Sequence, residues 1–322
     1  NAKTNNRKAI CFITGVPGAG KTLAGLNIAT SRAEQHSDEH AVFLSGNGPL
    51  VDVLREALAR DKAERDGIPR SRAYREVSTF VQNIHHFRDE ALESTGPPVE
   101  KVVIFDEAQR AWNREMASKF MQQKRGHVAF DMSEPAFLLS AMNRHTDWCV
   151  VICLVGGGQE INTGEAGLAE WITVLRDQYA DWDVHVSSRL EDRDYIWDEN
   201  LAKELSKTST SWDDSLHLGV SIRSFRAEAL SEFIGYVVDN RPDKARITYQ
   251  AIADKYPILL TRSLAEARSW LRTKARGSER YGLTASSGAN RLRAEGIWVK
   301  AKIDAPVWFL NDKTDVRSSY YL

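Results

Sequence analysis

Residues Ala9–Thr22 read AICFITGVPGAGKT. An apolar run rich in β formers, Ala9 to Thr14, leads straight into a turn of glycines. Such a run meeting such a turn predicts a buried strand. Gly15-Val16-Pro17-Gly18-Ala19-Gly20-Lys21-Thr22 fits the pattern G-x-x-x-x-G-K-[ST], and a helical pattern follows from Lys21 toward Ala29. Strand, glycine loop and helix in that order is the setting in which the pattern holds phosphate. The glycines let several N–H groups curl into one concavity. The helix adds its positive N-terminal end. Lys21 brings a mobile charge to the β- and γ-phosphates, and Thr22 offers a hydroxyl ligand to Mg²⁺. Gly15, Pro17, Gly18, Ala19, Gly20, Lys21 and Thr22 are therefore the expected ATP-binding residues.

Outward from this loop, three more apolar runs read as strands: Ala41–Ser45 (AVFLS), Lys101–Phe105 (KVVIF) and Trp148–Val155 (WCVVICLV). Helical patterns such as Leu50–Arg60 lie between them. Strands alternating with helices imply an α/β fold with a parallel sheet covered on both faces. Ligands of such sheets bind at the carboxyl ends of the strands. The third strand delivers Asp106 and Glu107 to that edge, in the segment Phe105-Asp106-Glu107-Ala108-Gln109-Arg110. Asp106 suits a Mg²⁺ site, shared with Thr22, and Glu107 suits activation of a water. The fourth strand ends in Gly156-Gly157-Gly158-Gln159, whose amide is placed to sense a γ-phosphate or orient water.

The chain has 322 residues, with 42% apolar and 27% charged, which suits about two globular domains. Lys plus Arg is 43 against 44 Asp plus Glu, so no uniformly basic coat is present, although a local basic groove is compatible with that balance. Cys11, Cys149 and Cys153 each sit in an apolar run and read as buried thiols in a reducing compartment, which places the protein in the cytoplasm. No apolar run approaches the ~20 residues of a membrane span. The N-terminus NAKTNNRKAI has neither Met nor signal-peptide character, so the chain reads as a fragment, with room for a nuclease or sensor domain upstream. Residues 60–75, charged and broken by Gly67 and Pro69, read as a solvated loop or excursion. The Ser/Thr/Asp-rich stretch Lys203–Leu218 reads as a boundary between domains 1–218 and 219–322. Beyond it, Phe225–Asp239 reads as an amphipathic helix, and Ile258–Thr261, Tyr281–Ala285 and Val307–Leu310 read as strands.

In their order, GVPGAGKT, VFLSGNGPL, FDEAQR and LVGGGQEINTGEAG resemble the Schlafen-group-three-like DNA/RNA helicase domain, a relative of superfamily-one helicases. The resemblance runs over nearly the whole chain. It implies a RecA-like P-loop core in residues 1–218 and a partial second RecA-like domain in 219–322. It also implies that Ser45 and Asn47, after the second strand, touch a nucleic-acid backbone. Ile84-His85-His86-Phe87 resembles a helicase segment beside single-stranded nucleic acid, which makes His85, His86 and Phe87 candidate contacts. Ser221-Ile222-Arg223-Ser224 resembles the segment whose arginine reaches the γ-phosphate from the interdomain side, with Arg226 as a weaker candidate. Leu260-Thr261-Arg262-Ser263 resembles the first strand of the second domain, which would turn Arg262 to the nucleotide cleft or to nucleic acid. The sequence departs from the family pattern in lacking an Asp in the Gly156–Gln159 segment, and it stops before the late motifs.

The implied function is that of an ATP-dependent helicase or translocase, or its core, using ATP and Mg²⁺ on single-stranded DNA or RNA. DNA or RNA processing and bacterial defence against phage are the implied settings. Lys21, Asp106, Glu107, Gln159 and Arg223 would be its catalytic set. Two other readings stay open: a regulatory ATPase switch that binds a protein partner without translocating, and a nucleic-acid binder with a degenerate nucleotide site.

Overall fold

A computed structural model describes residues 1–35, 39–125, 130–156, 164–191, 205, 208–220, 228–277, 279, 281–286 and 288–321. Residues divide into two units, Asn1–Arg223 with Ala305–Leu322, and Ser224–Asp304. The first unit carries a parallel sheet. Its strands are β1 (Lys8–Gly15), β2 (Ala41–Ser45), β3 (Val81–Asn83), β4 (Val102–Phe105), β5 (Cys149–Gly156), β6 (Asp183–Val186), β7 (Ser209–Trp212) and β8 (His217–Leu218). They lie in the order β3-β2-β4-β5-β1-β6-β7, with β8 also paired to β1. The four strands expected from apolar runs form close to where the sequence places them, and the α/β P-loop core is as expected.

Successive residues of a strand face opposite sides. Val42, Leu44, Val103 and Phe105 therefore enter one core, and Ala41, Phe43, Val102 and Ile104 enter the other. Helices α1 (Ala2–Asn5), α2 (Lys21–Gln35), α3 (Gly48–Asp66) and α4 (Arg70–Phe80) precede β3, and α2 to α4 cover the second of these faces. Helices α5 (Ile84–Glu93), α6 (Arg114–Arg125), α7 (Glu134–Met142) and α8 (Gly167–Gln178) cover the first. Both faces being buried explains why β2 and β4 are apolar throughout. Cys149 and Cys153 are buried as expected, whereas Cys11 is only half-buried.

Helix α2 sits unusually close to the sheet at Gly25. A Cβ there would lie 2.6 Å from Leu154 Cδ1 and 2.9 Å from Ile104 Cγ2. Gly25→Ala should therefore cost about 1–3 kcal/mol through overpacking. Urea unfolding measures it, and an unchanged midpoint would mean that the helix can rise without penalty.

The stretch 60–75 is not a loop. Helix α3 runs through it to Asp66, Gly67 closes it at φ 64°, and α4 starts at Arg70. Its charges form a solvated helical face laced by pairs such as Lys62–Asp66 (2.8 Å) and Arg72–Glu76 (2.9 Å), both at i,i+4.

The second unit carries helices Glu228–Val238, Pro242–Ile252 and Leu264–Lys274, the first two meeting through the Phe233 and Tyr249 rings at 5.4 Å. The helix expected over Phe225–Asp239 is present across its described part. The expected strands Ile258–Thr261 and Tyr281–Ala285 are not formed; both stretches are irregular. A strand needs a partner for its backbone and a core for one face. Leu260, at 97% exposure, has no core to enter. Val307–Leu310 lies in a helix, Ala305–Leu310, and not in a strand. This segment belongs to the first unit, where Arg60 donates to Leu310 O (2.9 Å) and Asn311 Oδ1 (2.7 Å).

Candidate nucleotide site

Strand β5 lies between β1 and β4, with Gly15 opposite Gly156 and Phe105 opposite Cys153. Two strand spacings separate the phosphate loop from the acidic strand, roughly 10 Å. The first turn of α2 bridges that gap. Thr22 Oγ1 donates to Asp106, 3.3 Å from each carboxylate oxygen. In the loop itself Gly18 and Gly20 adopt φ 78° and 87°, a region that a side chain disfavours. Lys21 Nζ donates to the carbonyls of Gly15 (2.7 Å) and Val16 (3.2 Å), holding its charge across the mouth of the loop. β8 supports the root of the loop: Val16 N–H donates to Leu218 O at 3.1 Å, and Thr14 Oγ1 lies 2.9 Å from His217 Nδ1.

Asp106 is 3% exposed. Burial, reinforced by the neighbouring Glu107 charge, pushes its carboxyl up to about 7. Burial also lowers Lys21, against the pull of Glu107 and Asp106. A cation between Thr22 and Asp106 would offset this cost, and hard oxygen donors of that kind suit Mg²⁺. Among the described residues no group of three or more His, Cys, Asp or Glu side chains gathers to hold a metal.

Glu107 adopts φ 53°, ψ 49°, a left-handed conformation uncommon for a side-chain-bearing residue. Gln109, to which the sequence reading assigned no role, explains how it is held. Its Nε2 donates to Glu107 Oε2 at 2.5 Å, and its Oε1 accepts from Gly156 N–H at 3.1 Å. Gln109 thus ties the acidic turn to the end of β5. Only its place two residues after Glu107, in the 3₁₀ turn Ala108–Arg110, could have signalled this.

Gly18, Gly20, Lys21, Thr22, Asp106 and Glu107 line one cleft of about 910 Å³, together with Ser45, Asn47, His85 and Trp112. Ser45 and Asn47 also serve the backbone: Ser45 Oγ accepts from Asn47 N–H, and Asn47 Oδ1 caps α3 at Leu50 N–H. His85 is half-buried and His86 exposed. Phe87 corrects the expectation of a nucleic-acid contact. It is 2% exposed in the core under α5 and presents no face to a ligand. Arg262 is exposed in the second unit, just before the helix Leu264–Lys274, on a segment that forms no strand. Gln159, Arg223 and Arg226 lie outside the described residues. No described helix is long and apolar enough to cross a membrane.

Compared with known families, residues 8–322 match the model described as Schlafen group 3, DNA/RNA helicase domain. No curated protein matches the chain. Among solved structures it is similar to the crystal structure of the Pyrococcus furiosus Hef helicase domain, at 17% identity and a TM-score of 0.33. That similarity covers 59% of this chain and 36% of the Hef chain.

Proposed function

The chain belongs to the Schlafen group 3 DNA/RNA helicase domain family, and from that premise we propose that it is an ATP-hydrolysing nucleic-acid translocase or the motor core of one. The observation that carries this reading is the meeting of Thr22 with Asp106 beside Lys21 and Glu107 at one sheet edge. Gly15 to Thr22 wrap the triphosphate, and Lys21 turns its ammonium from the loop carbonyls to the phosphates. Thr22 and Asp106 would hold Mg²⁺, which would neutralise phosphate charge when bound. Glu107, oriented by Gln109, accepts a proton from the water that attacks the γ-phosphorus. The bond from that phosphorus to the bridging oxygen breaks, and ADP leaves with phosphate.

Gln159 and Arg223 complete this catalytic set in the proposal, and Arg262 is proposed as a further nucleotide-binding residue. Of residues 219–322, the second unit, Ser224–Asp304, is then the partial second motor lobe. Ser45, Asn47, His85 and His86 contact single-stranded DNA or RNA. The setting is cytoplasmic, in nucleic-acid processing or defence against phage.

ATP hydrolysis measured with and without single-stranded DNA or RNA tests the proposal. Stimulation by either is expected. Hydrolysis indifferent to both would overturn translocation and favour a switch that answers to a protein partner. Nucleic-acid affinity should also fall as salt rises, because phosphate contacts release counterions. An affinity independent of salt would contradict backbone recognition.

A further inference from the structure

Glu107 keeps a left-handed backbone without the freedom of a glycine, so its surroundings must over-determine it. The chain from Ala108 to Asn113 supplies that restraint. Arg110 N–H donates to Glu107 O at 2.8 Å, and Ala108 O accepts from the buried Trp171 indole N–H at 2.9 Å. Gln109 reaches Gly156 at the end of β5. Past the turn the chain makes a short antiparallel contact with residues 164–166. Asn113 N–H donates to Gly164 O at 2.9 Å, Ala166 N–H donates to Ala111 O at 2.7 Å, and Trp112 bridges to Glu165. From the other side Trp112 N–H donates to Glu134 Oε2 at 2.8 Å, and Glu134 Oε1 accepts from Arg88 Nη1 at 3.3 Å.

One side-chain pair spans the antiparallel contact. Arg110 Nε donates to Glu165 Oε1 at 3.1 Å, and both residues line the nucleotide cleft. Their side chains are 49% and 12% exposed. An ion pair so open to water adds little to stability. Its place in the chain gives it another use. Arg110 is the last residue of the 3₁₀ turn that Glu107 caps, so holding Arg110 fixes the far end of that turn. Glu165 can hold it because the residues on either side of Glu165 are bonded to Ala111 and Asn113. Gly164 permits the approach with φ 99°, a value that disfavours any side chain.

We infer that Glu165 and Arg110 are a positioning pair for Glu107. They act through the acidic turn, keeping it in the conformation that presents the Glu107 carboxylate to the cleft, and not on the phosphate itself. The inference rests on the proposed function in taking Glu107 as the base. A base must lie within hydrogen-bond reach of the proton it takes. A shift of about 1 Å can cost about a hundredfold in rate, so a pair of small energetic weight can still govern turnover.

Single-turnover ATP hydrolysis, titration of a fluorescent ATP analogue and urea unfolding test it on the whole chain. Glu165→Ala is expected to slow hydrolysis about ten- to a hundredfold, with analogue affinity and the unfolding midpoint nearly unchanged. Glu165→Gln keeps an acceptor for Arg110 Nε and should restore most of the rate. Arg110→Ala removes the pair from its other side, should match Glu165→Ala, and covers the case in which that variant folds poorly. In a Glu107→Gln background no base is left to position, so Glu165→Ala should slow hydrolysis no further. An equal fold-loss in both backgrounds would overturn the inference, because the pair would then act independently of Glu107. A wild-type rate in both alanine variants would also overturn it. So would a loss of analogue affinity as large as the loss of rate, which would make the pair a ligand contact. If the wild-type chain neither binds the analogue nor hydrolyses ATP, the proposed function fails, and the pair has no base to position. If it does both and the alanine variants do so equally well, only the positioning role fails.

Discussion

Replacing Glu107 with glutamine is expected to lower ATP turnover by about 10²–10⁴-fold, the usual contribution of a positioned base, while nucleotide binding persists. The amide keeps the size of the side chain and its hydrogen-bonding reach to Gln109, but it cannot accept a proton from water. Lys21→Ala should act at the other end of the same reaction. Lys21 Nζ is the cation that bridges the mouth of the loop between Gly15 O and Val16 O. Its loss removes the charge that meets the phosphates, so binding of a fluorescent ATP analogue should disappear. Steady-state hydrolysis and analogue titration on the two variants separate the roles. Full turnover in both would contradict the catalytic assignment, and full turnover in Glu107→Gln alone would move the base elsewhere.

The second large effect is expected from Arg88→Met, on stability. Arg88 and Glu134 are 1% and 6% exposed. Removing the guanidinium leaves a carboxylate in the core, with a penalty of about 3–5 kcal/mol. Urea unfolding of the wild type and the variant measures it, and a loss within 1 kcal/mol would show that Glu134 is satisfied without its partner. Restoring apolar packing with Arg88→Met combined with Glu134→Leu should recover most of the loss. The pH dependence has a definite sign. Burial pushes the Glu134 carboxyl up, opposed by the Trp112 N–H bond and by the Arg88 charge. Without Arg88 that opposition weakens, so the folded state binds a proton that the unfolded state has released. Stability of Arg88→Met should therefore fall as pH rises above the ordinary glutamate value of about 4.3, more steeply than in the wild type.

The phosphate loop and the acidic strand were legible because each announces itself locally. A buried parallel strand must be apolar on both faces, and the residue after its last apolar position lands at the carboxyl edge. That logic puts Lys21, Thr22, Asp106 and Glu107 at the carboxyl edge of the sheet, where Thr22 donates to Asp106. Phe87 was misread because a His-aromatic step looks the same whether its ring faces solvent or core. The charged stretch 60–75 was misread because a breaker pair, Gly67 and Pro69, hid two helices whose charges satisfy one another at i,i+4. The runs at 258–261 and 281–285 carry strand-like composition. Composition cannot supply a neighbouring strand, and without one an extended segment gains nothing from being extended.

By itself the sequence determined the parallel sheet, its glycine loop and the order in which the acidic residues follow, because these depend on short-range periodicity and on residue types tied to one backbone conformation. Only the tertiary structure decided that Gln109 links Glu107 to Gly156, and that Arg88 and Glu134 join His85 to Trp112 across one cleft. Gln109 and Gly156 are 47 residues apart in the chain, and Arg88 and Glu134 are 46 apart. Which of many buried polar groups meet is set by how helices settle on the sheet, a global packing outcome that no local pattern encodes.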